Sequence, residues 1–330
     1  MNILARVVFY IASVVLAASA GFSHAAELLY ADHPLASRVW DMNNAEFVEE
    51  SELMGRLNNS DVLLLGEVHD NLRHHELQQK LLQARIDNGA QPVLMMEQFN
   101  TANQTALDEA LSGSDRDVKI AALNKLISFN GWKQYSPLLE IAVDNQLPVI
   151  ASNTPNSDLR PVIWRGYDAY DADKLKQLAV EEVWNESRQA FLAASMGGAH
   201  CGQLREEIRV GLTRSQRLKD ALMADSVFSS ITRGVVGIVG SSHARRDIGL
   251  PLYFSARDPE VRIVSVGFVE VLPDKDNPYT YTDSATGEMP FDYVWFTPRM
   301  ARENPCAEMS KAAIREIGSK HAEPAGEAAE

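Results

Sequence analysis

Three histidines, two acids and an arginine fall within ten residues in the stretch Glu67–Val68–His69–Asp70–Asn71–Leu72–Arg73–His74–His75. Imidazoles beside carboxylates can move protons, hold a transition metal or ligate iron. Two further positions share this character: Glu97 closes the apolar run from Pro92, and His243 ends Gly240–Ser241–Ser242–His243, a second Gly-x-x-His after Gly66–His69. Residues two apart on a strand point the same way, so Glu67 and His69 can face one cleft.

Two chemistries suit this set. In one, His69, Glu97 and His243 hold a divalent transition metal with a position left open for water, and Glu67 or Glu97 acts as general base in a hydrolysis. In the other the cleft holds haem, with His69, His74, His75, His243 or Tyr135 near the iron and Arg73, Arg245 and Arg246 as cations for the propionates. Whether the protein is an enzyme stays open at this point. Other signatures are missing. Gln79 stands where a zincin helix starting at His75–Glu76 needs its second histidine, no Gly-x-Ser-x-Gly surrounds Ser241 or Ser242, and no phosphate-binding glycine loop is present.

The elements that would position these residues follow from periodicity. Apolar runs at Asp61–Glu67, Pro92–Phe99, Leu147–Asn153, Gly234–His243 and Val261–Val271 read as buried strands, with Phe291–Phe296 a sixth. Between them, helical spacing marks Asn44–Leu57, Asp70–Asn88 with Gly89 as its stop, Thr101–Leu111, Asp115–Phe129 and a helix launched near Pro137. Arg160 to Asp225 contains amphipathic patterns and no convincing strand. The expected fold is therefore α/β, a mostly parallel sheet flanked by helices with a helical subdomain inserted at about 160–230. The site residues sit at strand ends, where doubly wound sheets bind ligands. Met95 and Met96, adjacent on a strand, are expected to fill the core on opposite faces.

Composition bounds the rest. A chain of 330 residues, 45% hydrophobic, can bury a full core, and a formal net charge of −14 argues against nucleic acid as a partner. Residues 1–25 have the form of an export signal: Arg6, an apolar stretch from Val7 to Ala20, then the small residues Ser23, Ala25 and Ala26. The mature protein is thus expected to be periplasmic or secreted, with one domain over 27–300 and a mobile acidic tail over 306–330. In an oxidising compartment its two cysteines, Cys201 and Cys306, are expected to pair.

These motifs resemble the ChaN family of haem-binding uptake proteins in the Tiki-like superfamily, which also includes erythromycin esterases and Tiki metalloproteases. The resemblance rests on Gly66–Asn71 with His74–His75, on Glu97, and on Trp132–Lys133–Gln134–Tyr135–Ser136–Pro137–Leu138. It continues through Pro148–Asn153, Gln216–Ala224 and Gly240–His243. It implies haem binding in iron acquisition, with a haem receptor or transporter component as partner and a homodimer allowed, or, on the other branches, hydrolysis. By position it makes Glu67, His69, Glu97 and His243 the site residues. No lipid-anchor cysteine follows the leader.

Overall fold

Apolar runs of four to six residues without a polar break need cover on both sides, and each finds it. The computed structural model describes residues 28–129, 132–281, 283–304 and 306. The expected leader, 1–25, and the expected tail beyond Cys306 lie outside the described residues. In chain order come β1 (Leu28–Leu29), β2 (Val39–Asp41), β3 (Glu46–Val48), α1 (Glu50–Leu57), β4 (Val62–Glu67), α2 (Leu72–Asp87), β5 (Val93–Asn100), α3 (Gln104–Ser112), α4 (Arg116–Phe129), α5 (Ser136–Asp144) and β6 (Val149–Asn153). Then follow α6 (Asn156–Arg165), α7 (Ala172–Gln177), α8 (Glu186–Ala199), α9 (Glu206–Phe228), β7 (Val235–Gly240), α10 (Ser241–Ala244), α11 (Leu250–Arg257), β8 (Ile263–Glu270), β9 (Tyr293–Thr297) and β10 (Arg299–Met300).

The main sheet runs β3-β2-β9-β8-β4-β7-β5-β6. It is parallel from β9 to β6, and only the β2–β3 ribbon at one edge is antiparallel. From β4 the chain moves out to β5 and β6, returns to place β7 beside β4, then continues to β8 on β4's other side. The centre of the sheet is therefore a switch point, where a crevice opens beyond the strands' carboxyl ends.

Alternation along the strands divides the core. Leu63, Leu65, Leu94, Met96 and Ile238 pack against α2, α4 and α5, while Val62, Leu64, Met95 and Val239 face α6, α9 and α11. The helical insertion spans α6 to α9 and shares the sheet's own core, with Leu159, Val162, Leu218 and Ala221 in the same cluster as Val235. One expected helix is corrected. Asn44–Leu57 does not run as a unit, because Glu46–Val48 pairs with β2 and the Phe47 ring packs 4.8 Å from that of Trp40. Tertiary pairing outweighs local helix preference there.

Candidate functional site

The two Gly-x-x-His endings are neighbours because β4 and β7 pair in parallel, Gly66 beside Val239 and Glu67 beside Gly240. Both glycines permit close approach. A Cβ on Gly66 would lie 2.7 Å from that of Ala244 and 3.2 Å from the Ser241 Cα, so α10 could not fold down against β4. A Cβ on Gly240 would lie 3.1 Å from His69 Nε2. On the other flank, the β5–β6 register slips between Met96 and Asn100. Glu97 falls in that irregular stretch, and its Oε2 accepts the Gly240 N–H at 2.7 Å. Irregular strand ends commonly re-aim a side chain in this way.

Glu67 is buried and crowded with donors. Its Oε1 accepts from His69 Nδ1 at 2.9 Å, from Gln98 at 3.1 Å and from the Tyr135 hydroxyl, and its Oε2 accepts from Gln78 at 2.7 Å. Burial alone would raise its pKa, but the hydrogen bond from His69 and the close approach of the His75 ring hold it down to about 2. A carboxylate so fully engaged orients its neighbours and cannot readily accept a proton. The Tyr135 ring is completely buried and its phenol is pushed up, by burial first and then by the Glu67 charge. It braces Glu67 from below.

His69 and His243 share Glu97 but differ in access. The His69 side chain is 39% exposed, and its Nε2 lies 4.0 Å from Glu97 Oε1. The ring of Trp132 packs 5.3 Å from its own. Burial would lower the His69 pKa, yet the Glu67 hydrogen bond and the Glu97 charge leave it raised. His243 is buried between two acids, with Nε2 3.2 Å from Glu97 Oε1 and Nδ1 against Asp220. Burial opposes its charge, but Glu97 and Asp220 outweigh that and hold it up at about 10. Asp220 itself is pushed up by burial, while Glu97 is held at about 2 despite burial, chiefly by His243. Gln216 Nε2, one turn before Asp220, sits 3.1 Å from His243 Nδ1.

Asp220, Gln216 and Gln78 lie on helices and escape a reading based on strand ends, whereas Gln98 stands beside Glu97 on β5 and is missed there. Asp220 does leave a signal, since it interrupts the covered stripe of α9 beside Leu218, Ala221 and Ala224. An acid on the apolar side of a helix needs a partner.

Other expected site residues are placed elsewhere. His74 is a tie within the fold: Val68 N–H donates to its Nδ1 at 2.9 Å, which puts the proton on Nε2, 2.8 Å from Thr297 Oγ1. Burial keeps it neutral, with its pKa down at about 4. His75 is buried with Nε2 3.3 Å from Glu67 Oε2 and its ring 4.4 Å from that of Tyr135, and neither ring nitrogen is aligned in a hydrogen bond among the described residues. Arg73 pairs with Glu76 on the outer face of α2, Arg245 with Asp247, and Arg246 with Asp292 and the Ile263 carbonyl. The expected metal triad is also corrected. Among the described residues no group of three or more His, Cys, Asp or Glu is arranged to hold a metal ion. His69, Glu97 and His243 do meet, but as an ion-paired array in which both nitrogens of His243 face carboxylates and offer no lone pair.

Cys201 and Cys306 are disulfide-bonded across a sequence separation of 105. The described residues contain no helix long and apolar enough to cross a membrane.

A family model described as haem-binding uptake, Tiki superfamily, ChaN matches residues 53–254. The chain belongs to this ChaN family. The matched span contains Glu67, His69, Glu97, Tyr135, Asp220 and His243, whereas Thr297, Arg302 and Cys306 fall beyond it. No curated protein matches in sequence. Among solved structures, a ChaN of Campylobacter jejuni studied for cofacial heme binding superposes with a TM-score of 0.62 at 20% identity, covering 78% of this chain and 95% of that one. An erythromycin esterase mutant in its open conformation superposes with a TM-score of 0.42 at 11% identity, covering 78% and 95%. The first likeness shows that the ChaN fold is shared.

Proposed function

We propose that this protein binds haem at the carboxyl edge of its sheet and acts outside the cytoplasm in haem or iron uptake, delivering its cargo to a receptor or transporter component. Membership of a haem-binding uptake family supports the ligand. The observation that carries the site is the condition of His69. It is half-exposed, and its Nδ1 is fixed by Glu67. Its Nε2 makes no hydrogen bond among the described residues. A carboxylate on one imidazole nitrogen sets the tautomer and raises the basicity of the other, which is how histidine is prepared to ligate iron. His243, His74 and Tyr135 are each held by partners that occupy the atoms a ligand would need. Trp132 against His69 and the exposed Leu72 supply apolar surface for a macrocycle. The form of residues 1–25 and the pairing of both cysteines support export.

Hemin titration of the purified protein tests this. A Soret shift that saturates is expected, with at least about a hundredfold weaker binding in His69→Ala, on the order of losing one essential ligand interaction. No saturating shift, or one that His69→Ala leaves untouched, overturns the proposal.

The array Asp220–His243–Glu97–His69 favours a second reading, hydrolysis without a metal, with His69 as base oriented by Glu67 and His243 as a buried positive charge. It requires ester or amide cleavage that survives chelation and disappears in both His69→Ala and His243→Gln. A panel of esters and peptides left intact removes it.

A further inference from the structure

A ring of contacts surrounds the site, and one link in it can be chemically opened. The chain leaves β9 at the carboxyl edge of the sheet and crosses the start of α2. There Asn71 Nδ2 donates to the Pro298 carbonyl at 3.0 Å and to Glu270 at 2.7 Å. Two residues past β10, Arg302 grips Asp70, the residue after His69, at 2.5 and 2.6 Å, and Glu270 at 2.6 and 2.7 Å. Cys306 then bonds to Cys201, in the turn between α8 and α9. Four residues of chain reach at most about 14 Å, so the tip of the α8–α9 hairpin is tethered close to the start of α2. From that tip α9 runs to Asp220, which holds His243. Glu97 then links His243 to His69. The circuit closes at Asp70.

We propose that the Cys201–Cys306 disulfide is a redox latch on the mouth of the candidate haem site, closed when oxidised and released by an exogenous dithiol. The proposal rests on the haem reading for its ligand, and on this circuit for its geometry. Two sides of the mouth belong to rigid elements, β4 running into α2 and α9 on the sheet. The third side is formed by residues 299–304, whose attachment to the α8–α9 tip is the disulfide at Cys306. Access favours exchange. Cys306 is exposed and Cys201 half-buried, and exposed disulfides are the ones most readily exchanged. A dithiol thiolate attacks the Cys306 sulfur and Cys201 leaves as thiolate, taking up a proton from solvent. The reagent's second thiol then resolves the mixed disulfide, so two electrons pass to the protein and the reagent becomes a disulfide. Arg302 can then swing away from Asp70, since its ion pairs are partly exposed and no covalent link holds the segment beyond them.

The test compares oxidised protein with protein reduced by a dithiol and alkylated by iodoacetamide, alongside the double variant Cys201→Ser with Cys306→Ser. In the absence of haem, amide exchange over 299–304 and the first turn of α2 is expected to quicken about tenfold or more, while β4 and β7 stay protected, as for local opening. Hemin release to an excess of acceptor protein is expected to be about tenfold faster from the alkylated form, since such changes fall mainly on dissociation. Unchanged exchange together with an unchanged release rate overturns the latch and leaves the haem reading standing. Faster local exchange with no Soret response in either form supports the latch and overturns the haem reading. Exchange in β4 and β7 that quickens until it matches that over 299–304, in both the alkylated and the double-serine protein, makes the disulfide a brace for the whole fold and overturns the latch.

Discussion

Two imidazoles drawn to one carboxylate oxygen end up with different tasks because their other nitrogens meet different partners. His69 gives Nδ1 to Glu67 and keeps a nitrogen toward the mouth, whereas His243 spends both nitrogens on acids. The signs of their pKa shifts, and those of their neighbours, shape stability against pH. His243 is held up at about 10 from an ordinary 6.5, so the stability it contributes is complete below pH 6.5 and is lost as pH rises through 10. His74, kept neutral with a pKa of about 4, works in the opposite sense: its contribution is complete above pH 6.5 and is lost as pH falls through 4. Glu67 and Glu97, at about 2 from an ordinary 4.5, steepen the acid side, their contribution being present above pH 4.5 and lost as pH falls through 2. Stability should therefore peak near pH 6.5. Urea midpoints taken from about pH 5 to about pH 10 should decline on the alkaline side in the wild type, and that decline should be smaller in His243→Gln. An alkaline decline of equal slope in both proteins refutes the assignment of charge to His243.

At the scale of elements, the strand carrying the site was legible because its apolar run has no polar break, and α2 was legible from its leucine spacing and the stop at Gly89. The short ribbon β2–β3 was not. Three residues are too few to show a period, and their pairing depends on β9, far along the chain. What holds the site's elements together is the contact of α10 with β4 at Gly66. Gly66→Ala must push Ala244 and the Ser241 backbone away, so a loss of about 1–3 kcal/mol in urea unfolding is expected, the usual cost of overpacking. Gly55 in α1 is the contrast, with nothing within 4 Å of an added Cβ. Gly55→Ala should gain about 0.5–1 kcal/mol from helix propensity. Equal effects at the two positions would mean that close packing at Gly66 contributes nothing.

For the molecule as a whole, the disulfide joins a helical layer on one face of the sheet to the segment that follows its last parallel strand. Closing a loop of 105 residues should stabilise by about 5 kcal/mol in the chain-entropy picture, so reduction should lower the urea midpoint without changing the far-UV spectrum. An unchanged midpoint would show that the unfolded chain gains no freedom when the bond opens. Residue types and periodicity alone were enough to determine the α/β class and the strands that end in acid or histidine, while the pairing of the two cysteines rested on the compartment that the leader's form implies, and the family on the likeness of motifs in a fixed order to known relatives. The first two follow from local rules of burial and alternation that any short window obeys. Only the tertiary structure decided that Asp220 faces His243, that Tyr135 and two glutamines saturate Glu67 across sequence separations of up to 68 residues, and that His74 and the arginines turn elsewhere. Those meetings depend on strand register, on the slip after Met96 and on two glycines that admit close neighbours. Such long-range geometry has no counterpart in the spacing of residues along the chain.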